Sequence, residues 1–437
     1  MNGRIVVNRK VNCIIPAFNV ARYLDDSIQS VINQTIGFDN INLVIVNDGS
    51  QDDTEQVILK YYEEYDNIYY LKQENKGVSA ARNRGLEYCE QQLPAPYTCF
   101  LDGDDKYDRF HLEQTINFFE NISFITSTLQ RNKNYKDIVS YPDVVFIPIK
   151  LFEKENSVHY SYQTIDRGET RVIDLKDSCF FFSHVNSALF KSDAIREERF
   201  NEELKISEDA QFIIKILLKT NLAGWINDGE TYYYLRKRMD QSSVIDNADV
   251  NPALYERIEI YRHEFENFLD LYGEIPRIVQ SSVLYDIHWF KSPNNNPSKN
   301  GINLDVEKAL CDIKFLISHM DDELLSQEYI PYWYKAYFKE MKYGSFHIVQ
   351  HNNEIEPNFF CGNHFFEPVA GTLQIQWVKQ INNRLKVRGF YVKPNYSEIS
   401  LIAKFNGNKI NIETSFSHHN DKKYGSVAKF ENQTRPL

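Results

Sequence analysis

The chain is 437 residues long, 42% hydrophobic and 25% charged, the proportions of an ordinary globular protein with more than one core. Its formal net charge of −12 argues against a nucleic-acid partner and against broad electrostatic adhesion to an anionic membrane. No apolar run approaches the roughly 20 residues of a spanning helix, the first residues are too weakly apolar for a signal peptide, and the expected location is cytoplasmic.

The first hundred residues alternate between short apolar runs and amphipathic stretches. "VNCIIPAF" (11–18) reads as a strand and "VARYLDDSIQSVINQT" (20–35) as a helix. "INLVIVNDGS" (41–50) is the next strand, followed by the helix "DDTEQVILKYYEEY" (52–65), whose Asp52, Asp53 and Glu55 suit a first turn. "IYYLKQ" (68–73), "VSAARNRGLEYCEQ" (78–91) and "YTCFLDGDD" (97–105) continue as strand, helix, strand. Such alternation implies a parallel sheet with right-handed crossovers. The six cysteines (13, 89, 99, 179, 311 and 361) form no CxxC pair and no zinc spacing; Cys13 and Cys99 read as core fillers.

In an open parallel sheet, ligands bind beyond the carboxyl ends of the strands. Asp48 follows the second strand and Asp102 the fourth, so both reach that edge, as do Pro16, Ala17, Phe18 and Asn19 after the first. "FLDGDD" (100–105) crowds Asp102, Asp104 and Asp105 into four positions, where like charges repel unless something positive sits among them. No GxGxxG follows the first strand and no Walker lysine motif occurs. A nucleotide crevice without a glycine cradle must neutralise a diphosphate with a hard cation on carboxylates, and Mg²⁺ or Mn²⁺ fits.

"IIPAFNVARYLDDSIQSVINQT", "IVNDGSQDDT", "NKGVSAARNRGL" and "FLDGDD" together resemble the family-2 glycosyltransferases over about residues 10–245. The resemblance implies an α/β GT-A nucleotide-sugar fold, a mostly parallel sheet flanked by helices. It also implies an inverting, metal-dependent transfer from a nucleoside-diphosphate sugar, by default UDP-linked. Pro16, Phe18 and Asn19 match the segment bordering nucleobase and ribose, with Phe18 where the family more often has Tyr. Asp48 matches the acid that contacts the base, and Asn75, Gly77 and Arg82 a stretch beside the nucleotide; a surface salt bridge is the plainer reading of Arg82. Asp102, Gly103 and Asp104 match the family's D-x-D. There Asp104 ligates the metal and Asp102 contacts ribose or metal, while Asp105 either ligates or caps the next segment of chain.

Further on, "NEELKISEDAQFIIKILLKT" (201–220) runs into a helix that Ser207 opens as N-cap, with Glu208 and Asp209 in its first turn. Capping alone would explain those acids. The resemblance makes Asp209 the general base, with Glu208 orienting the acceptor or the helix. "SHVNSALFKSDAI" (183–195) matches the acceptor side, where His184 reads as a positioning or core residue sooner than a catalyst. In "YYYLRKRMDQSSV" (232–244), Arg236 or Arg238, with Ser242 and Ser243, would close over the diphosphate.

Past residue 250 the runs 251–273, 275–292 and 305–320 have helical periodicity, and 328–344 is dense in aromatics, as a core wall or a sugar-stacking surface. From about 366 the pattern alternates, with a hairpin signal at Asn406-Gly407. The last residues do not read as closing a sheet, so the natural polypeptide is expected to continue. The expected domains are 1–248 (transferase), 249–365 (helical, aromatic-rich) and 366–437 (β-rich). This order is similar to bacterial teichoic-acid and cell-envelope glycosyltransferases, implying a surface glycan, capsule or polyol-phosphate acceptor and peripheral association with the cytoplasmic membrane; homo-oligomerisation is open. A nucleotidyltransferase, which would need a glycine-rich basic first loop, and a catalytically silent glycan-binding scaffold are the competing readings.

Overall fold

The computed structural model describes residues 10–121, 141–159, 170–239 (except 177, 179–181 and 205), 250–287 and 306–344 (except 328, 329 and 331); beyond 345 it describes strands only. The chain divides into two compact units, one of residues 1–253 and 274–285, the other of 254–273 and 286–437.

The first unit is built on β1 (Val11–Ala17), α1 (Ala21–Ile32), β2 (Ile41–Asp48), α2 (Thr54–Tyr62), β3 (Ile68–Gln73), α3 (Val78–Gln92) and β4 (Tyr97–Phe100). These four strands pair in parallel in the order β3-β2-β1-β4. Every residue of β1 and β2 is buried, as expected where helices cover both faces of a parallel sheet. The expected fourth strand stops at Phe100; the acids beyond it leave the sheet in a turn, and the chain resumes pairing in β5 (Lys106–Tyr107) before α4 (His111–Glu120).

Pro16 sits in a central strand, where a missing N–H would ordinarily break a ladder. Alternate residues of a parallel strand bond to opposite neighbours, and Ile14 accepts from Leu101 on the β4 side. Pro16 therefore faces the same side, past the last β1–β4 pair at Ile14 and Phe100. The absent donor falls past the last β1–β4 pair, where no ladder bond is lost.

The sheet extends through β6 (Val144–Phe146), β8 (Arg171–Asp174), β9 (Ala188–Lys191) and β10 (Leu222–Trp225), completing eight strands in the order β3-β2-β1-β4-β9-β6-β10-β8. β9 runs antiparallel to β4, so its amino end lies at β4's carboxyl end. β5, β7 (Ile149–Glu153) and β11 (Tyr233–Lys237) form a small second sheet, and α5 (Glu208–Thr220) follows β9 in the chain.

Gly49, just past β2, has φ 74°, and a Cβ there would lie 2.7 Å from the backbone nitrogen of Asn75. Only glycine lets the β3–α3 loop approach so closely. Gly49→Ala is expected to cost about 2–4 kcal/mol, combining a left-handed penalty with a clash that backbone cannot yield to. Urea denaturation checks this; a loss under 1 kcal/mol would mean that the loop moves freely.

In the second unit, Arg262 of the helix Val250–Tyr272 pairs with Asp312 of the helix Val306–Ser318 at 3.1 Å. The aromatic stretch forms the helix Tyr332–Tyr343, with Phe338 buried. The C-terminal strands correct the sequence reading. Gly425–Gln433 pairs with both Arg384–Tyr391 and Ser415–Asp421, so the final segment is an interior strand of a four-stranded sheet. Strands Leu401–Phe405 and Asn408–Ile412 pair with Phe405 opposite Asn408, consistent with a two-residue turn; Asn406 and Gly407 themselves lie outside the described residues. Among the described residues, no helix is long and apolar enough to cross a membrane.

Candidate functional site

The site residues lie in the first unit, at the carboxyl edge of the parallel strands. At its centre is Arg82, in the second turn of α3 and only 2% exposed. Its guanidinium donates to Asp209 at 2.6 Å, Glu208 at 3.2 Å and Asp102 at 3.0 Å. Its carbon lies 5.2 Å from the Phe200 ring centroid. The surface-salt-bridge reading is thus overturned: this cation is a buried hub for three acids from two distant segments. Burial disfavours its charge, but Asp209, Asp102 and Glu208 outweigh that and hold it protonated. Asp209 is pushed well above the usual carboxylate range, chiefly by burial, with Arg82 opposing and Glu208 and Asp102 adding. The Val185 N–H donates to its other oxygen at 3.3 Å.

The helix carrying Glu208 and Asp209 starts differently from the sequence reading. Ser207 is left-handed (φ 60°, ψ 17°), and its hydroxyl makes no cap bond. The two acids are in the first turn, where the helix dipole favours them, but their partner is Arg82 rather than the helix's own N–H groups. A left-handed non-glycine residue costs roughly 1–2 kcal/mol, so this backbone is held by its surroundings.

The three acids after β4 separate by role. Asp102 gives one oxygen to Arg82 and the other to the Asn186 amide at 2.7 Å. Each Asp102 oxygen thus accepts one protein hydrogen bond, and lone pairs remain on both for a further partner. Asp104 accepts from Arg238 Nε at 3.0 Å and from its terminal nitrogen at 2.6 Å. Burial, reinforced by Asp102 and opposed by Arg238, raises its pKa. Asp105 is buried and accepts from the Tyr233 hydroxyl at 2.5 Å and the Arg236 N–H at 2.7 Å. These bonds pin β11 to the acidic loop.

That pinning distinguishes the two arginines. Arg236 donates to Glu153 at 2.6 Å, Asp26 at 2.7 Å and the Asp104 carbonyl at 2.6 Å, and stacks between Tyr23 and Phe152. Its side chain is 7% exposed and clamped among these partners. Arg238, two residues on, faces Asp104. Ser242 and Ser243 lie outside the described residues.

On the nucleotide side, Phe18 stands 43% exposed past β1, and Asn19, at φ 51°, accepts from the Gln51 N–H at 2.8 Å. A Cβ at Gly103 would lie 3.0 Å from a Val20 methyl and 3.3 Å from the Pro16 carbonyl, a tight fit. Asp48 is buried and accepts from Gln73 at 2.7 Å and from the Lys76 and Gly77 N–H groups at 2.9 and 2.8 Å. Its visible work is to shape the loop holding exposed Asn75 and Gly77, which enters α3 at φ 94°. His184 contacts the Ser183 hydroxyl and lies edge-on to His159 at 5.2 Å; burial, helped by Lys237, lowers it to about 4, so it is neutral at pH 7. Asn186, His159 and the Val185 N–H were not singled out from sequence; only the pairing of β9 with β4 brings Asn186 to Asp102.

Among the described residues, no three His, Cys, Asp or Glu side chains form a ready metal cage. Asp104 and Asp102 are the carboxylates suited to a hard divalent ion: each now faces a guanidinium, and a Mg²⁺ or Mn²⁺ site needs only one or two carboxylates beside phosphate oxygens.

The sequence pattern described as glycosyl transferase family 2 matches residues 13–195. Residues 13–195 are a family 2 glycosyl transferase domain. The chain is 29% identical over 429 residues to the minor teichoic acid biosynthesis protein GgaB of Bacillus subtilis, covering 95% of this chain but 44% of GgaB. To GgaA of the same organism it is 28% identical over 354 residues, 79% of this chain and 73% of GgaA. The crystal structure of S. aureus TarS is similar at a TM-score of 0.57 and 16% identity, over 97% of this chain and 72% of that one. TarS residues 1–349 in complex with UDP-GlcNAc match at 0.54 and 18%, over 82% and 99%. The transferase domain's α/β fold, with its mixed, mostly parallel sheet, is therefore GT-A-like.

Proposed function

We propose that this chain transfers a sugar, with inversion, from a UDP-linked donor to a hydroxyl of a teichoic-acid-like or related bacterial surface polymer. The observation that carries the reading is the Arg82 hub, which joins an acid of the D-x-D loop to the acids of α5 at one crevice. TarS, which shares the fold, has been solved with UDP and with UDP-GlcNAc, and GgaA and GgaB belong to teichoic acid biosynthesis; these support donor and acceptor class.

In this reading Asp209 takes the proton of the acceptor hydroxyl as it attacks the anomeric carbon. A sugar hydroxyl is a weak nucleophile until a carboxylate accepts its proton, and a carboxylate with raised pKa is the better acceptor. Attack from the face opposite the departing UDP inverts the centre. Arg82 orients Asp209 without touching the reacting atoms, and Arg238 supplies positive charge beside the departing diphosphate. Asp104 would hold a Mg²⁺ or Mn²⁺ ion, which when bound neutralises diphosphate charge. Phe18, Asn19, Asp48, Asn75 and Gly77 border the nucleoside, and His184 the acceptor.

Calorimetric titration with UDP tests the donor side. Binding is expected to tighten at least tenfold with Mn²⁺, about 1.4 kcal/mol, and Asp104→Asn should remove that gain. No UDP binding in either condition would reject the assignment.

A further inference from the structure

Asn186 lies outside every role assigned so far, yet two hydrogen-bonded paths to Asp209 run through its segment. Its amide donates to Asp102 at 2.7 Å; Asp102 accepts from Arg82 at 3.0 Å, and Arg82 donates to Asp209 at 2.6 Å. The preceding residue, Val185, donates its backbone N–H to the other oxygen of Asp209 at 3.3 Å. The contacts close a ring from Asn186 through Asp102, Arg82 and Asp209 back to Val185.

The fold explains the meeting. β4 and β9 pair antiparallel with Cys99 opposite Leu189, and the same register carried three residues outward sets Asp102 opposite Asn186. The 3₁₀ turn Val185–Ser187 ends that register, anchored by the Ser187 carbonyl accepting from Ile147 at 3.0 Å. Asn186 is 4% exposed. A carboxylate can only accept, so the atom facing Asp102 is the amide nitrogen, and the amide oxygen points away. That oxygen is buried with no hydrogen-bond partner. A buried carbonyl without a donor costs stability, and a leucine of similar shape would avoid the cost. What the side chain contributes here is the bond from its nitrogen to Asp102.

We infer that Asn186 is a positioning residue for the transfer, fixing the Asp102 carboxylate so that Arg82 in turn presents Asp209 at the acceptor side. The inference rests on the function proposed above. Asp102 without this donor keeps one anchor, Arg82, and is free to rotate about its side-chain bonds. Arg82 then follows a mobile partner, and the geometry of Asp209 loosens. Misplacement of a reacting group by about 1 Å can lower a rate by about 10²-fold with little change in ground-state binding.

The test is Asn186→Leu, which keeps shape and removes the donor. Turnover is expected to fall about 10–100-fold while the donor KM moves less than about threefold. Unchanged turnover, or a rise in donor KM with turnover kept, would overturn the inference. A second measurement is independent of catalysis: urea midpoints of Asn186→Leu, Asp102→Asn and the double variant. If the amide acts through Asp102, the double variant is displaced far less than the two singles together; additive shifts would show no tether and overturn the inference. A wild-type protein that transfers no sugar counts against the proposed function, and the midpoints still decide on Asn186.

Discussion

Asp209→Asn is expected to lower turnover by about 10²- to 10⁴-fold, the usual worth of a positioned general base, while its melting temperature at pH 8 holds or rises. The two halves follow from one arrangement. Three carboxylates share the single charge of Arg82, and burial raises the pKa of Asp209. A group whose folded pKa lies above its unfolded value of about 3.9 contributes stability below that value and loses it as pH rises through the folded pKa. An amide there removes a penalised charge and leaves Arg82 with Asp102 and Glu208. The same shift predicts that the acid limb of the wild-type turnover profile lies above the ordinary aspartate range. Initial rates of donor transfer or hydrolysis, with a thermal melt, check this; an Asn variant within threefold of wild type would remove Asp209 from the chemistry.

Arg82→Met should have the largest effect on the fold itself, a loss of about 3–5 kcal/mol at pH 8. The methionine fills much of the volume but leaves Asp102, Glu208 and Asp209 facing one another without a cation. Asp209, already raised in the fold, loses the charge that opposed the rise, so the native state holds its proton to higher pH and stability falls as pH increases. The deficit is therefore expected to be smaller at pH 5 than at pH 8. Urea unfolding at the two pH values measures it, and a pH-independent deficit would mean that packing against Phe200 is the main contribution of Arg82.

Several site features were legible because they are local. A Phe-Leu pair followed by three aspartates states that a strand ends and that its tip is anionic. The order of strands and helices up to residue 100 follows from periodicity, since β1 and β2 are mostly apolar runs and are buried throughout. Other features were left open or misread for an equally physical reason. Arg236 and Arg238 are alike in sequence, and only the clasp of Asp105 by Tyr233 and the Arg236 N–H turns one into the clamp and leaves the other at Asp104. Ser207 has the composition of a cap, but its backbone is left-handed and its helix's acids look to Arg82. The final segment looked unable to close a sheet because its partners, 384–391 and 415–421, are set by pairing across the sequence.

The amino-acid sequence determined the parallel sheet, the edge at which its acids gather and the motifs placing residues 13–195 among family 2 glycosyl transferases. These depend on hydrophobic period and turn chemistry, which act over a few residues. The tertiary structure alone decided that Arg82 is buried among three acids, that Asp102 is tethered by Asn186 and that Asp104 pairs with Arg238. Those outcomes depend on which segments the sheet order brings within hydrogen-bond reach. A charge's burial and partners are properties of that packing, not of its neighbours along the chain.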